Sequence, residues 1–156
     1  FGGNLMKIGI GCDEAAYNLK LILKSYLEEK KIEVIDFGCK EGETVLYPDI
    51  AFTTANAVLR GECEQAILIC GTGIGMSITA NKVPGIRAAV CHDVYSTQRA
   101  RKSNDAQIMC LGARIIAPEL AKCLVNTWLE SSFEGGGSTP KVARIKQLED
   151  KTIWAK

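Results

Sequence analysis

One stretch of the chain decides the fold: Gln65-Ala66-Ile67-Leu68-Ile69-Cys70-Gly71-Thr72-Gly73-Ile74-Gly75-Met76. Its apolar first half is rich in branched side chains, which is typical of a central strand in a parallel sheet that is covered on both faces. The alternate glycines that follow let the backbone turn sharply and bring its N–H groups close to an anion. A helix then begins with its positive N-terminal end at the turn. The pattern predicts a strand, an anion-binding turn and a helix.

Two reactive side chains, Cys70 and Thr72, stand at the mouth of this turn. A free cysteine is also among the most buried residue types, so a tight turn with a structural thiol fits the same pattern. The glycines have G-x-G-x-G spacing in the third βα unit, whereas dinucleotide-binding proteins carry G-x-G-x-x-G in the first. Spacing alone leaves an active-site turn and a structural turn open, and it disfavours a nicotinamide cofactor.

The composition indicates one globular domain. The chain has 156 residues, 47% of them hydrophobic, and a net charge of +1, which suffices for a single core. Basic residues are interspersed with acidic ones and aromatic residues are few, so nucleic acid is not an expected partner. The sequence contains neither a membrane-spanning apolar run nor a secretory signal pattern. We therefore expect a cytoplasmic protein without a membrane partner.

The cysteines and the first five residues say little about the function. Seven cysteines without a CxxC pair, together with a single histidine, favour buried reduced thiols and disfavour a zinc or other metal site. Residues 1–5 fit no element and Met6 is a natural start. We interpret residues 1–5 as a leader or cloning remnant and residues 6–156 as a single domain.

Five short apolar segments alternate with helical patterns. The segments are 7–12, 32–37, 66–70, 86–91 and 106–111. Between the second and third segments, a loop with Tyr47-Pro48-Asp49 leads to a helix predicted from about Ile50 to Arg60. Parallel neighbours need crossover connections, so this alternation predicts an α/β fold with a five-stranded parallel sheet, helices on both faces and a further C-terminal helix from Pro140. Ligands of such sheets bind beyond the carboxyl ends of the strands. The polar or reactive residues at such ends are Asp13, Cys70, Thr72, His92, Asn104 and Arg114.

Six short motifs resemble the ribose-5-phosphate isomerase B family, which is grouped with the galactose-6-phosphate isomerases. They are Gly11-Cys12-Asp13, Tyr47-Pro48-Asp49, Ile69 to Gly75, Ala80-Asn81-Lys82, Gly85 to Ala88 and Ser103-Asn104-Asp105. The resemblance spans Met6 to Leu148. It implies a three-layer Rossmann-like fold and a homodimer or tetramer with sites at the subunit interface. It also implies cofactor-free interconversion of a phosphorylated aldose and ketose, with ribose 5-phosphate and ribulose 5-phosphate as the default pair.

The resemblance also assigns roles to individual residues. Aldose–ketose isomerisation needs a base for a carbon-bound proton and donors that stabilise an enediolate, and Cys70 would be that base. Thr72 would shuttle protons between substrate oxygens, and Asp13 would bind and orient hydroxyls. The anion hole would consist of the amides of Gly71, Gly73 and Gly75 with Asn104 of the other subunit. The further candidates for substrate binding are Glu14, Tyr47, Ser103, Arg114 and Lys141.

The chain departs from the family at positions that touch substrate. Glu14 replaces a usual histidine, Ser103 replaces a ring-opening histidine of many members, and Gly137 and Lys141 stand where phosphate-binding arginines occur. His92 does not match the ring-opening position and is interpreted as a surface or structural imidazole. A tetrose 4-phosphate cannot form the furanose of ribose 5-phosphate, because its 4-oxygen is esterified. A tetrose 4-phosphate or a hexose 6-phosphate is therefore the alternative substrate, and a non-catalytic sugar-phosphate-binding protein is the alternative from another class.

Overall fold

The computed structural model describes residues 6–154 and contains a five-stranded sheet in the order β2-β1-β3-β5-β4. The strands are β1 (Lys7–Cys12), β2 (Glu33–Asp36), β3 (Gln65–Cys70), β4 (Ala88–Val90) and β5 (Ile108–Gly112). Every neighbouring pair is parallel. The predicted α/β fold class is confirmed. Residues 1–5, interpreted as a leader or cloning remnant, lie outside the described residues.

Helices connect the strands and cover the sheet. They are α1 (Tyr17–Glu29), α2 (Tyr47–Leu59), α3 (Ile74–Asn81), α4 (Val94–Lys102), α5 (Pro118–Leu129) and α6 (Thr139–Trp154). The start of α2 differs from the expectation, because Tyr47-Pro48-Asp49 predicted a loop before a helix from about Ile50. Pro48 instead lies in the first helical turn, where a missing N–H costs no hydrogen bond. Within residues 6–154, none of these helices is long and apolar enough to cross a membrane.

β3 is buried on both faces because its side chains alternate between two cores. Ile67 and Ile69 join a cluster with residues of α1 and α5. Leu68 and Cys70 join a second cluster with residues of α2 and α3. This double burial explains why the side chains from Ala66 to Ile69 are all apolar and why a thiol follows at Cys70. The turn after β3 therefore starts from a rigid part of the molecule.

The strand order places a ligand crevice beside the end of β3. After β1 the chain first adds β2 on one side and then β3 on the other, so the winding reverses between β1 and β3. In open parallel sheets, ligands bind outside the carboxyl ends of the strands at such a reversal. Cys12 of β1 lies in register with Ile69 of β3. The residues that follow these two positions, Asp13 and Cys70, are therefore neighbours at the crevice.

Candidate active site

Asp13 and Cys70 lie side by side at the carboxyl edge of the sheet. The Asp13 N–H donates to the Ile69 carbonyl at 3.2 Å, so the Asp13 backbone is fixed to the end of β3. The Asp13 side chain accepts a hydrogen bond from the Ala15 N–H at 3.1 Å and caps a short 3-10 turn, Glu14–Ala16. The residues that carry a carboxyl group and a thiol are thus backbone neighbours at the predicted edge of the sheet.

The Cys70 thiol is held by the glycine turn, residues 71–75. Cys70 and this turn together are called the Cys70 turn. The Cys70 side chain is only 5% exposed, and Sγ accepts a hydrogen bond from the Gly73 N–H at 3.1 Å. Gly73 has a φ of 79°, which lies in the left-handed region that favours glycine. α3 begins at the next residue, so its N-terminus faces the same turn. A backbone donor and a helix N-terminus therefore both lie beside the Cys70 sulfur.

Two further glycines of the turn allow polar side chains to lie against the backbone. A Cβ atom built on Gly71 would lie 3.0 Å from Nη1 of Arg114. A Cβ atom built on Gly75 would lie 2.7 Å from the hydroxyl oxygen of Tyr47. The turn is therefore flanked by a guanidinium group and by a phenol hydroxyl, which are two of the predicted substrate contacts.

The exit of β5, residues 112–114, packs directly on the glycine turn, residues 71–75. A Cβ atom on Gly112 would lie 2.7 Å from Cα of Thr72, so the two backbones touch. The next two amides after Gly112 donate to the carbonyls of Cys70 and Gly71 at 2.8 and 3.0 Å. The sequence analysis did not assign a role to Gly112, although a glycine directly after a buried strand is a signal for close backbone approach.

The acidic residues after β1 influence each other and the loop before α2. Burial first, and the Glu14 carboxylate second, raise the pKa of Asp13, whereas the N–H groups of the 3-10 turn and the Arg114 guanidinium oppose the rise. Glu14 accepts a hydrogen bond from the Val45 N–H at 3.2 Å. Glu14 therefore holds the segment before α2 in place. Tyr47 is the first residue of that helix.

Three predicted site residues are not joined to this cluster within one chain. In the described part of the chain, no hydrogen bond or ion pair links Ser103, Asn104 or Lys141 to the Cys70 turn. Asn104 lines a separate cavity of about 600 Å³ beside β4, together with Arg87. Lys141 is exposed in the first turns of α6. One chain thus contains only part of the predicted site.

Arginine side chains fix the two residues that follow α4. Nε of Arg99 donates to the Ser103 hydroxyl at 2.8 Å, and Nη2 of the same side chain also contacts that oxygen. Arg99 pairs with Glu134 at 3.5 Å as well. Nε of Arg87 donates to the Asn104 carbonyl at 3.2 Å. The sequence analysis missed Arg99, although an arginine four residues before Ser103 on a helix predicts such a contact.

His92 follows β4 and makes a structural hydrogen bond. Its Nε2 atom accepts from the Gly112 N–H at 2.8 Å. Burial lowers the pKa of the imidazole, and the Asp93 carboxylate opposes this effect. A neutral, hydrogen-bonded imidazole agrees with the structural role interpreted from the sequence.

Residues 8–145 match the family model described as Ribose/Galactose Isomerase. The chain is 54% identical to D-erythrulose-4-phosphate isomerase of Pectobacterium atrosepticum, over 93% of this chain and 96% of that protein. It is 56% identical to Ribose-5-P isomerase B of Listeria innocua, over 94% of this chain and 99% of that protein. The structure of Ribose-5-Phosphate Isomerase B from Clostridium thermocellum has a TM-score of 0.92 and 49% identity, and the match covers 94% of this chain and 99% of that chain. The resemblance predicted from the motifs is confirmed: the chain belongs to the Ribose/Galactose Isomerase family and is an aldose–ketose isomerase.

Proposed function

We propose that the Cys70 turn interconverts an aldose phosphate and a ketose phosphate through an enediolate. The Cys70 thiolate removes the proton from C2 of the aldose, and the electron pair of that C–H bond shifts toward the C1 carbonyl oxygen. The thiol then returns the proton to C1, which leaves the carbonyl at C2. The Gly73 N–H lies 3.1 Å from Sγ and holds the sulfur at the turn. Two carbons of one molecule exchange oxidation states, so the reaction as written uses no cofactor.

The neighbouring groups fit the remaining steps. The amides of Gly71 to Gly75 at the N-terminus of α3 supply donors for the enediolate oxygens. The exposed Thr72 hydroxyl moves a proton between O1 and O2. Asp13, with a pKa raised chiefly by burial, orients the substrate hydroxyls. Arg114, whose guanidinium lies over Gly71, supplies a cation for the phosphate.

For the substrate, a tetrose 4-phosphate is favoured over ribose 5-phosphate. The observation that carries this choice is that Ser103, at the predicted ring-opening position, is held by Arg99. The chain has a single histidine, and that imidazole accepts from Gly112. A furanose needs an acid–base group for ring opening, whereas a tetrose 4-phosphate forms no such ring. The relatives named D-erythrulose-4-phosphate isomerase and Ribose-5-P isomerase B are 54% and 56% identical to the chain, so their names do not decide between the two substrates.

A substrate panel tests this choice. We expect kcat/KM for erythrose and erythrulose 4-phosphates to exceed that for ribose and ribulose 5-phosphates by about 10²-fold, which is the usual value of one acid–base group. Ser103→His should raise pentose activity, and Ser103→Ala is the control because it removes the Arg99 contact without adding an imidazole. A preference of the wild type for a pentose or hexose phosphate would contradict the choice. A non-catalytic sugar-phosphate-binding protein would give neither turnover nor exchange of the C2 proton with solvent.

We also propose a homodimer or tetramer in which the partner supplies Asn104 and Lys141 to each Cys70 turn. Three helices leave large apolar side chains exposed, which is typical of an interface. They include Phe52 on α2 at 59%, Ile78 on α3 at 57% and Ile145 on α6 at 48% exposure. A cytoplasmic location stays a prediction of the sequence.

Mixing two inactive variants tests the shared site. Cys70→Ala and Asn104→Ala subunits should complement each other, because a mixed dimer contains one site with both wild-type residues. After unfolding and refolding together at equal amounts, about a quarter of wild-type activity is expected for random pairing in a twofold dimer. Either variant alone serves as the control. A monomer in light scattering, or no recovered activity from a mixture that pairs, would contradict the shared site.

A further inference from the structure

We propose that His92 is a positioning residue for the catalytic turn: its neutral imidazole fixes the exit of β5, and protonation releases that exit. The contact joins Nε2 of His92 to the Gly112 N–H at 2.8 Å. The effect on activity rests on the proposed role of the Cys70 turn, whereas the contact itself can be tested without turnover.

The contact completes a row of hydrogen bonds between the β5 exit and its surroundings. The Gly112 N–H donates to Nε2 of His92. The N–H groups of the next two residues, Ala113 and Arg114, donate to the carbonyls of Cys70 and Gly71. Gly112 also packs backbone against backbone on Thr72. Movement of this exit therefore displaces the residues that flank the proposed base and proton shuttle. His92 acts on them through Gly112, from the segment that follows β4.

The chemistry of imidazole makes the contact sensitive to protonation. A neutral imidazole has one donor nitrogen and one acceptor nitrogen, and an imidazolium ion has two donors. Because Nε2 of His92 accepts from Gly112, the proton of the neutral ring lies on Nδ1. Protonation of Nε2 would place two N–H groups against each other and leave the Gly112 amide without its acceptor.

The charged and titratable residues next to this contact in the sequence are Cys91 and Asp93 beside His92, and Cys110 and Arg114 beside Gly112. The Asp93 carboxylate favours the imidazolium, but burial, the larger effect, lowers the pKa of His92. The thiols nearest in sequence to the contact are Cys91 and Cys110. Burial raises the pKa of Cys91 to about 11 and that of Cys110 well above its usual value, so both are neutral. The Arg114 guanidinium lies over Gly71 after the β5 exit.

The direction of the pH effect follows from the lowered pKa. Between the ordinary histidine pKa of about 6.5 and the lower value in the folded chain, the unfolded state binds more protons than the folded state. The free energy of unfolding therefore falls as the pH falls through this window. Above this pH window, His92 makes its full contribution to the free energy of unfolding. Below the window, a further fall in pH causes no further loss of stability from this group.

A single-histidine chain allows a direct test. NMR titration of the His92 ring should give a pKa below about 6.5 and, at neutral pH, a tautomer protonated at Nδ1. The acid limb of kcat/KM should share that pKa in the wild type. His92→Gln keeps an acceptor that does not titrate, so it should keep near wild-type activity at neutral pH and lose this limb. His92→Leu removes the acceptor and should lower kcat about tenfold to hundredfold at neutral pH, as small displacements in active sites do. This difference from the wild type should shrink in acid, where the wild-type contact is also lost.

Several results would overturn the proposal. They are an ordinary or raised ring pKa, the opposite tautomer, or a His92→Leu enzyme with the wild-type pH profile and kcat. A His92→Gln enzyme that loses as much activity as His92→Leu would also overturn it. If His92→Leu fails to fold, the ring titration and His92→Gln still decide. If no sugar phosphate is turned over, the proposed function is wrong. The ring titration and the pH dependence of unfolding then test the contact between His92 and Gly112 without turnover.

Discussion

Replacement of Gly112 by alanine tests the packing of the β5 exit on the catalytic turn. The new Cβ would lie 2.7 Å from Cα and C of Thr72, whereas ordinary contacts begin at 3.4 Å. The two backbones must separate by about 0.7 Å, and no flexible side chain can absorb this shift. Overpacking of this kind costs about 1–3 kcal/mol, and the lower entropy of the unfolded alanine chain offsets about 0.4–1 kcal/mol. We expect a net loss of about 1–2 kcal/mol.

Thermal unfolding and steady-state kinetics measure the two consequences. For a chain of this size, the loss in stability corresponds to a Tm lower by about 2–8 °C. Displacement of Thr72 should lower kcat about tenfold to hundredfold. Gly137→Ala is the stability control, because no described atom lies within 4 Å of its added Cβ. A Gly112→Ala protein that is as stable as Gly137→Ala and fully active would refute the packing argument.

Three further changes test the base and two buried polar contacts beside the core of α1 and α5. Cys70→Ala is expected to lower kcat and the exchange of the substrate C2 proton by about 10²–10⁴-fold; NMR in D₂O measures this exchange, and retained exchange would exclude the thiol as the base. Lys20 is 2% exposed and donates to a carboxylate and a carbonyl, so Lys20→Met should cost about 2–4 kcal/mol in urea unfolding. Lys146→Met, which breaks an exposed ion pair, is its control and should change the midpoint little. Trp128→Phe leaves the Gln65 side-chain oxygen without its buried donor, which costs about 1–3 kcal/mol; the double variant with Gln65→Leu should recover part of this loss.

The parts of the fold that depend on local pattern were predictable from the sequence. β3 was recognised because a strand buried on both faces needs an unbroken apolar run. The confirmed fold class followed from the alternation of strand and helix patterns. The start of α2 was placed too late because Tyr47-Pro48-Asp49 has the composition of a turn, whereas proline is also favoured in the first turn of a helix.

Contacts between distant segments were not predictable in the same way. The bond from Gly112 to His92 spans 20 residues and depends on which strands become neighbours and on the imidazole tautomer. The position of Gly112 against Thr72 depends on the register of β3 and β5. A pattern of hydrophobic residues specifies neither of these. The roles of Asn104 and Lys141 depend on a second subunit, so they stay predictions.

The order of the strands constrains the two parts of the proposed site to different degrees. Asp13 and Cys70 follow β1 and β3, which have a neighbour on each side, so substitutions there disturb the core as well as the chemistry. Ser103 and Asn104 lie between α4 and β5, outside the sheet, and side chains of Arg99 and Arg87 hold them. Under the proposed roles, changes at the end of α4 would alter the choice of sugar phosphate, and the Cys70 turn would keep its place between the two cores.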